Sequence, residues 1–390
     1  MSGAPLPAGR RVAIVHEWLI GHAGSERVVD ALLAIFPEAD LFALVCAMPG
    51  ELPERYRGRP VRTSFLQRWT GGRKSFRSFL PIFPEAVESF DLRAYDLVIS
   101  SSHCVAKGAR TCRPDQLHLT YCHTPVRYAW DLQEAYLADS GFGSLKRAAA
   151  RIGLARLRRW DRRTADRTDL YLTNSRFVGE RVARYYGRSS VVIPPPVDTE
   201  TFRPMSEERK GFISVSRFVP YKRVPLIVDA FRQMPELELT VVGDGPDRAR
   251  CHAAAQGATN IRFVGHAPSG ELPRLLSGAQ AFVFAALEDF GIAPLEAQAC
   301  GTPVIAYGAG GALETVIEGE TGTFFDAQTP ESIIAAVRRF LAAPPPREAA
   351  CRQQAERFAI PVFRERIAEV IARAWDERPT PDTTRHEGVA

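Results

Sequence analysis

The sequence has 390 residues, 45% hydrophobic and 24% charged, with a net charge of +5; such a chain has material for two sizeable cores and is not disordered by composition. No apolar run approaches the ~20 residues of a membrane-spanning helix, and "MSGAPLPAGRRVAIV" has no signal-peptide core, so a cytoplasmic protein is expected. The seven cysteines are scattered and form no C-x-x-C pair, which speaks against a disulfide framework and a zinc site.

In chain order, "RVAIVHEWL" (11–19) predicts a buried strand, followed by a Gly-containing loop, "GHAGS", and a helix that Ser25 can cap, with Glu26 at its positive end. Further strands are expected at 40–46, 95–101, 117–123, 169–175 and 190–195. Short apolar runs alternating with helical segments predict a parallel sheet covered on both faces. "IPPPVDTETFRP" (193–204) reads as a stiff linker, because three prolines forbid a helix. The pattern then restarts, with strands expected at 211–218, 237–245, 260–266, 279–287 and 302–308. The expected fold class is therefore α/β, two doubly wound Rossmann-like domains: residues 1–205 and 206–347, then a helical segment at 348–376 and a disordered tail at 377–390. Pro361 should kink or restart the last helical region.

Charge is divided unevenly. Residues 1–205 carry 30 Lys/Arg against 21 Asp/Glu, whereas residues 206–390 carry 20 against 24. Two stretches concentrate the excess: residues 55–77, with eight basic residues and no acid, and 145–167, with nine basic residues and two acids. Such a balance suggests an anionic partner for the first half.

Ligands of open α/β sheets bind outside the carboxyl ends of the strands, so residues just after strands carry the functional argument. Glu288 follows the strand 279–287, and "DFGIAPLEAQAC" starts a helix near Ile292 or Ala293, with Glu296 about one turn in. The turn at Gly291 would leave N–H groups free to hold an anion; alternatively both glutamates simply favour a helix N-terminus. "SVSRFVPYKRV" supplies Arg217 directly after a strand and Lys222 five residues later, a pair able to clamp a diphosphate or merely to be solvated cations. His123 ends a strand, where it can hydrogen-bond a sugar hydroxyl, move protons or be structural. "VVGDGPDR" lacks the third glycine of a dinucleotide fingerprint and reads as a tight strand-to-helix turn. There is no Asp-x-Asp, so the expected site neutralises a diphosphate with cations and a helix terminus; no metal and no cofactor are expected.

Taken together, "EDFGIAPLEAQACGTPVIA", "SRFVPYKR", "VVGDGP", "IRFVGH" and "GALETVIEGETGTFF" resemble the signatures of retaining glycosyltransferases of family 4, over about residues 11–375. "SSSHCVAKG" and "HTPVRYAWDL" further resemble mannosyltransferase-like members of bacterial surface-polysaccharide pathways. The resemblance implies the GT-B architecture, with the C-terminal helical region crossing back to the first domain. It also implies catalytic or donor-binding roles for particular residues. Glu288 would contact donor-sugar hydroxyls near C3, and Glu296 the ribose. Arg217 and Lys222 would hold the diphosphate, Gly291 and Ile292 would add backbone donors, and Phe290 lies in the same motif. His123 would lie near the transferred sugar, and Val264 and Gly265 near the base. Gly24 aligns with the second glycine of a Gly-Gly loop whose first position is Ala23 here.

The activity implied is transfer of a hexose, mannose from GDP-mannose, to a polyprenyl-diphosphate-linked saccharide in exopolysaccharide or O-antigen synthesis. The competing readings are a sugar-nucleotide epimerase or phosphorylase of the same fold, and a catalytically silent nucleotide-sugar-binding protein. Such a lipid acceptor gives the basic stretch a role at the inner face of the cytoplasmic membrane. There Phe65, Leu66, Trp69, Phe76, Phe79 and Leu80 alternate with Arg62, Arg68, Arg73, Lys74 and Arg77. The alternative is a helix packing its aromatics on the sheet. No nucleic-acid motif is present.

Overall fold

A computed structural model describes residues 6–7, 9–47, 56, 60–70, 74–131, 133–134, 137, 143–205, 208–268 and 270–378. The chain divides into two compact units, 1–195 with 363–390, and 196–362. The division falls between Pro195 and Pro196, inside the proline run and earlier than residue 205.

The first unit holds a seven-stranded sheet, all parallel, in the order β3-β2-β1-β4-β5-β6-β7. Its strands are β1 Val12–Leu19, β2 Asp40–Cys46, β3 Val61–Thr63, β4 Leu97–Ser102, β5 Leu117–Cys122, β6 Leu170–Thr173 and β7 Ser190–Val192. Side chains alternate across the pleat, so each face builds its own core. Ile14, Leu41, Ile99 and Leu119 face the helix Gly24–Ile35, while Ala13, Val15, Phe42 and Val98 face Phe83, Leu157 and Trp160. The last helix, Ile360–Glu377, drives Phe363, Ile367, Ile371 and Trp375 into the first of these cores. It is thus a piece of the first unit supplied from the far end of the chain, and Pro361 sits in its first turn, where its missing N–H costs no hydrogen bond.

The second unit repeats the plan with six parallel strands in the order β10-β9-β8-β11-β12-β13. They are β8 Phe212–Val215, β9 Leu239–Val242, β10 Ile261–Gly265, β11 Ala281–Phe284, β12 Val304–Tyr307 and β13 Gly322–Phe325. In each unit the strand order reverses once, between β1 and β4 and between β8 and β11. A crevice opens at such a reversal because the two neighbouring connections leave in opposite directions.

Two local expectations change. The first helix begins at Gly24, with Ala23 as its N-cap. Ser25 does not cap it; Glu26, one turn in, accepts from the Ala23 N–H at 3.0 Å. The aromatics read as a membrane face belong largely to the core: Leu66 and Phe76 are fully buried, and Phe65, Phe79 and Leu80 pack half-buried against them. Trp69 alone of the six is well exposed, at 63%. Arg62 lies over the Phe42 ring and 3.5 Å from Asp40, and Arg68 is exposed. Arg73 and the side chains of Lys74 and Arg77 lie outside the described residues, as does the tail from 379.

One buried group gives the first unit a pH dependence. His118, on β5, is fully buried, with Nδ1 2.8 Å from the Arg167 carbonyl oxygen. Burial pushes it down from 6.5 to about 4, against the smaller raising effect of that carbonyl. Between these values the unfolded chain binds a proton here and the folded chain does not. Stability contributed by this ring is therefore present above pH 6.5 and is lost as pH falls towards 4, at about 1.4 kcal/mol per pH unit. His118→Gln should flatten the fall in urea midpoint between neutral pH and pH ~5; an unchanged slope would contradict the assignment.

Candidate functional site

In the second unit the site forms at the reversal between β8 and β11. The loop after β8 carries Arg217 and Lys222; the loop after β11 carries Glu288. Lys222 Nζ forms an ion pair with Glu288 Oε1, both side chains being largely buried. The ammonium also lies 5.6 Å from the Tyr221 ring centroid and 5.9 Å from that of Phe284, so apolar walls strengthen its field. Arg217 is exposed and has no side-chain hydrogen bond among the described residues.

Glycines set the approach of these loops. A Cβ on Gly243, at φ 130°, would lie 1.8 Å from the Ser216 carbonyl oxygen, and one on Gly245 2.3 Å from that of Phe218. The turn read from "VVGDGP" therefore props the cationic loop from beneath, helped by Phe218 N–H donating to the Asp244 carbonyl at 2.9 Å. On the other side, Gly311 N–H donates to the Glu288 carbonyl at 2.9 Å, and a Cβ on Gly311 would lie 2.2 Å from Phe290 Cα. Gly310 and Gly311 thus hold the Glu288 loop, a role the sequence reading missed although a Gly-Gly pair straight after a strand was visible.

Gly291, at φ 88°, is the N-cap of the helix Ile292–Ala299, so the backbone N–H groups of its first turn, Ile292 included, lack intrahelical partners. Glu296 lies one turn in and is buried. Phe290 behaves otherwise than expected of a ligand contact: its ring is buried against Phe358, 5.6 Å away, and steadies the loop. Val264 and Gly265 close β10, half-buried, where Gly265 accepts from the Gly243 N–H at 2.6 Å.

In the first unit, polar side chains gather at the equivalent reversal and at the next strand. His16 and Glu17 lie in β1 and are fully buried. Glu17 Oε1 accepts from the N–H groups of His103 at 3.1 Å, Cys104 at 2.6 Å and Ala106 at 3.0 Å, and from Ser102 Oγ at 3.2 Å. This carboxylate shapes the loop after β4. His103 is thereby held with Nδ1 3.6 Å from Glu17 Oε2.

A second string of contacts reaches His123, just past β5. Glu26 Oε1 lies 3.7 Å from His16 Nε2; His16 Nδ1 lies 3.2 Å from Ser101 Oγ, which is 2.8 Å from His123 Nε2. Burial alone would raise Glu26, but the His16 ring outweighs it and holds the carboxyl down at about 2. His16 is raised: burial opposes its charge, and Glu26 and Glu17 together prevail. His123 is pushed well below its ordinary value by burial first and then by His103 and His16. It is therefore a neutral imidazole with one nitrogen engaged by a serine, suited to hydrogen-bond a hydroxyl. Gly24 opens the helix that carries Glu26. His16 and Glu17 escaped the sequence reading; the signal was two ionisable residues inside an otherwise apolar strand.

Two Rossmann-like units in one chain are the architecture of the GT-B glycosyltransferases. The sequence model of Glycosyltransferase Family 4 matches residues 22–201, and that of glycosyl transferases group 1 matches residues 198–358; the chain belongs to glycosyltransferase family 4. A GDP-mannose-dependent alpha-(1-6)-phosphatidylinositol monomannoside mannosyltransferase of Mycolicibacterium smegmatis is 33% identical over 212 residues, 47% of this chain and 56% of the relative. A D-inositol 3-phosphate glycosyltransferase of Geodermatophilus obscurus is 28% identical over 49% of each chain. The chain thus spans about half the length of the curated relatives it matches. The fold is shared with sucrose-phosphate synthase from Thermosynechococcus elongatus, at TM-score 0.71 and 20% identity over 94% of this chain and 99% of that one. Anabaena HepE, solved in complex with UDP, matches at TM-score 0.68 and 16% identity over 93% and 100%.

Proposed function

We propose that the chain is a retaining glycosyltransferase that moves mannose from GDP-mannose to a lipid-linked saccharide. The observation that carries this reading is the Lys222–Glu288 ion pair between the loops following β8 and β11, beside the helix start at Gly291. Departure of a nucleoside diphosphate creates an oxocarbenium-like sugar and a dianion. Lys222 and the first-turn N–H groups are cationic or dipolar groups fixed in advance at one strand reversal, the arrangement that stabilises such a leaving group, and the exposed Arg217 adds a second cation on the same loop. Glu288 is then suited to the sugar hydroxyls and Glu296 to the ribose, with Val264 and Gly265 at the base. His123, neutral, is suited to a hydroxyl of the transferred sugar. Attack on the face the diphosphate leaves gives retention, and the departing phosphate can take the acceptor's proton, so no pair of hydrolytic carboxylates is needed. GDP-mannose is favoured because it is the donor named for the Mycolicibacterium smegmatis relative.

The acceptor is proposed to be a polyprenyl-diphosphate-linked saccharide of exopolysaccharide or O-antigen synthesis, met at the inner face of the membrane. Thermal shift with GDP-, UDP- and dTDP-sugars side by side tests the donor: stabilisation by GDP-mannose is expected, and stabilisation by UDP-sugars alone would overturn it. Release of GDP only when acceptor is added separates transfer from epimerisation; binding without turnover would leave a silent nucleotide-sugar-binding protein. Polyprenyl-diphosphate saccharide and phosphatidylinositol mannoside, offered separately, decide the acceptor.

A further inference from the structure

The helix Ser144–Arg163 carries eight Lys/Arg and a single acid, Asp161. At 1.5 Å per residue its 20 residues run about 30 Å. Its inner face is short: Leu154, Leu157, Trp160 and Asp161 are its buried residues, and Asp161 is turned inward to pair with Lys107 at 3.1 Å. The outer face has no acid. Leu145, Ala149 and Ile152 follow one another at helical spacing, and Arg156, Arg159 and Arg163 continue the same stripe, all exposed. Leu145 is 83% exposed and Ile152 57%. Leu145 and Ile152 thus form a small apolar stripe on an otherwise basic face, the pattern of a helix that lies in a membrane interface. The segment Lys74–Ile82 lies against this helix, and the Phe79 ring within it is tilted at 55° to that of the exposed Trp69, centroids 6.5 Å apart.

We propose that this stripe, with Trp69, is the surface by which the first unit docks on an anionic lipid bilayer. Leu145, Ile152 and Trp69 enter the headgroup–acyl boundary, and Arg156, Arg159 and Arg163 lie against lipid phosphates. The pairing of aliphatic residues with unbroken positive charge selects this occupant. A nucleic acid would use the arginines and leave Leu145 and Ile152 in water; a bilayer interface takes up aliphatic and cationic side chains along one helix of this length. The membrane contact thereby moves from the 62–80 segment, whose aromatics are mostly core, to the neighbouring helix. It gives the proposed lipid-linked acceptor a means of delivery, but it stands on the helix itself and does not need that reading to hold.

The test is co-sedimentation of the full chain with phosphatidylcholine vesicles, with and without phosphatidylglycerol. The unaltered protein should pellet with the anionic vesicles only. Leu145→Ser/Ile152→Ser should weaken binding at least about tenfold, and Arg156→Ala/Arg159→Ala/Arg163→Ala about 100-fold. All these positions are exposed, so the fold should survive, as circular dichroism would show. Both variants should keep full activity on a water-soluble acceptor and lose it on a vesicle-borne one. Failure of activity alone, with vesicle binding intact, would count against the transferase reading and leave the docking surface standing. Equal pelleting of the protein and both variants would overturn the proposal. So would an unaltered protein that stays in the supernatant, or retention on RNA that only the arginine variant loses.

Discussion

Lys222→Ala is expected to lower sugar transfer by about 10²–10³-fold, the usual loss when one preorganised charge is taken from a developing anion. The side chain is held by its ion pair with Glu288 and by the Tyr221 and Phe284 rings, so the ammonium needs little reorganisation as the leaving group forms. Removing it also leaves the Glu288 carboxylate, 14% exposed, without its cation, and that carboxylate would repel an incoming diphosphate. Glu288→Ala should cost a similar factor for the converse reason: Lys222 loses the group that aims it. The two substitutions act on one unit, so the double variant should be little worse than the worse single one. Arg217→Ala removes an exposed guanidinium and should weaken nucleotide binding with a smaller effect on turnover. Steady-state rates with nucleotide titrations on the four variants decide this. If the double variant loses the product of the two single losses, Lys222 and Glu288 act independently and the ion pair has no catalytic meaning.

The reversal of strand order that makes this pair possible could be only half read from the sequence. Apolar runs such as "LVIS" and "AFVF" announce parallel strands because both faces of the sheet are covered, and most strands fell where those runs lie. Of the four edge strands, β7 and β10 lie in visible apolar runs, while β3 and β13 do not: "VRT" has one apolar residue and "GTFF" only two in succession. Residues after strands were legible as candidates, since a strand end in an open sheet faces the ligand side. Their partners were not. Lys222 meets Glu288 because β8 lies between β9 and β11, and no local pattern states that neighbour relation. The string from Glu26 through His16 and Ser101 to His123 draws on a helix, two strands and the loop after a third, so each member looked unremarkable alone. Phe290 erred in the opposite direction: its motif placed it at the donor, and packing on Phe358 turned its ring into the core.

Asp161→Ala is expected to destabilise the chain by about 3–5 kcal/mol, the cost of breaking a buried ion pair from one side. Asp161 is fully buried and Lys107 is 1% exposed. Asp161 Oδ1 lies 3.1 Å from Lys107 Nζ, while Oδ2 accepts from Trp130 Nε1 at 2.8 Å and Tyr186 OH at 2.9 Å. One carboxylate therefore ties the Ser144–Arg163 helix to three other segments, through Lys107, Trp130 and Tyr186. Its loss strands an ammonium whose remaining contacts are the Thr164 hydroxyl at 3.0 Å, the Asp161 backbone carbonyl and the Tyr186 and Trp160 rings. Lys107→Met should cost less. A methionine fills the same channel, and Asp161 keeps two good donors to share its charge. Joint replacement by Met and Leu should recover much of the loss, because no uncompensated charge then remains, although Trp130 and Tyr186 lose an acceptor. Urea unfolding of the full chain measures all three. An Asp161→Ala variant within ~1 kcal/mol of the unaltered protein would mean that water reaches this site in solution and that Lys107 is not confined as its burial implies.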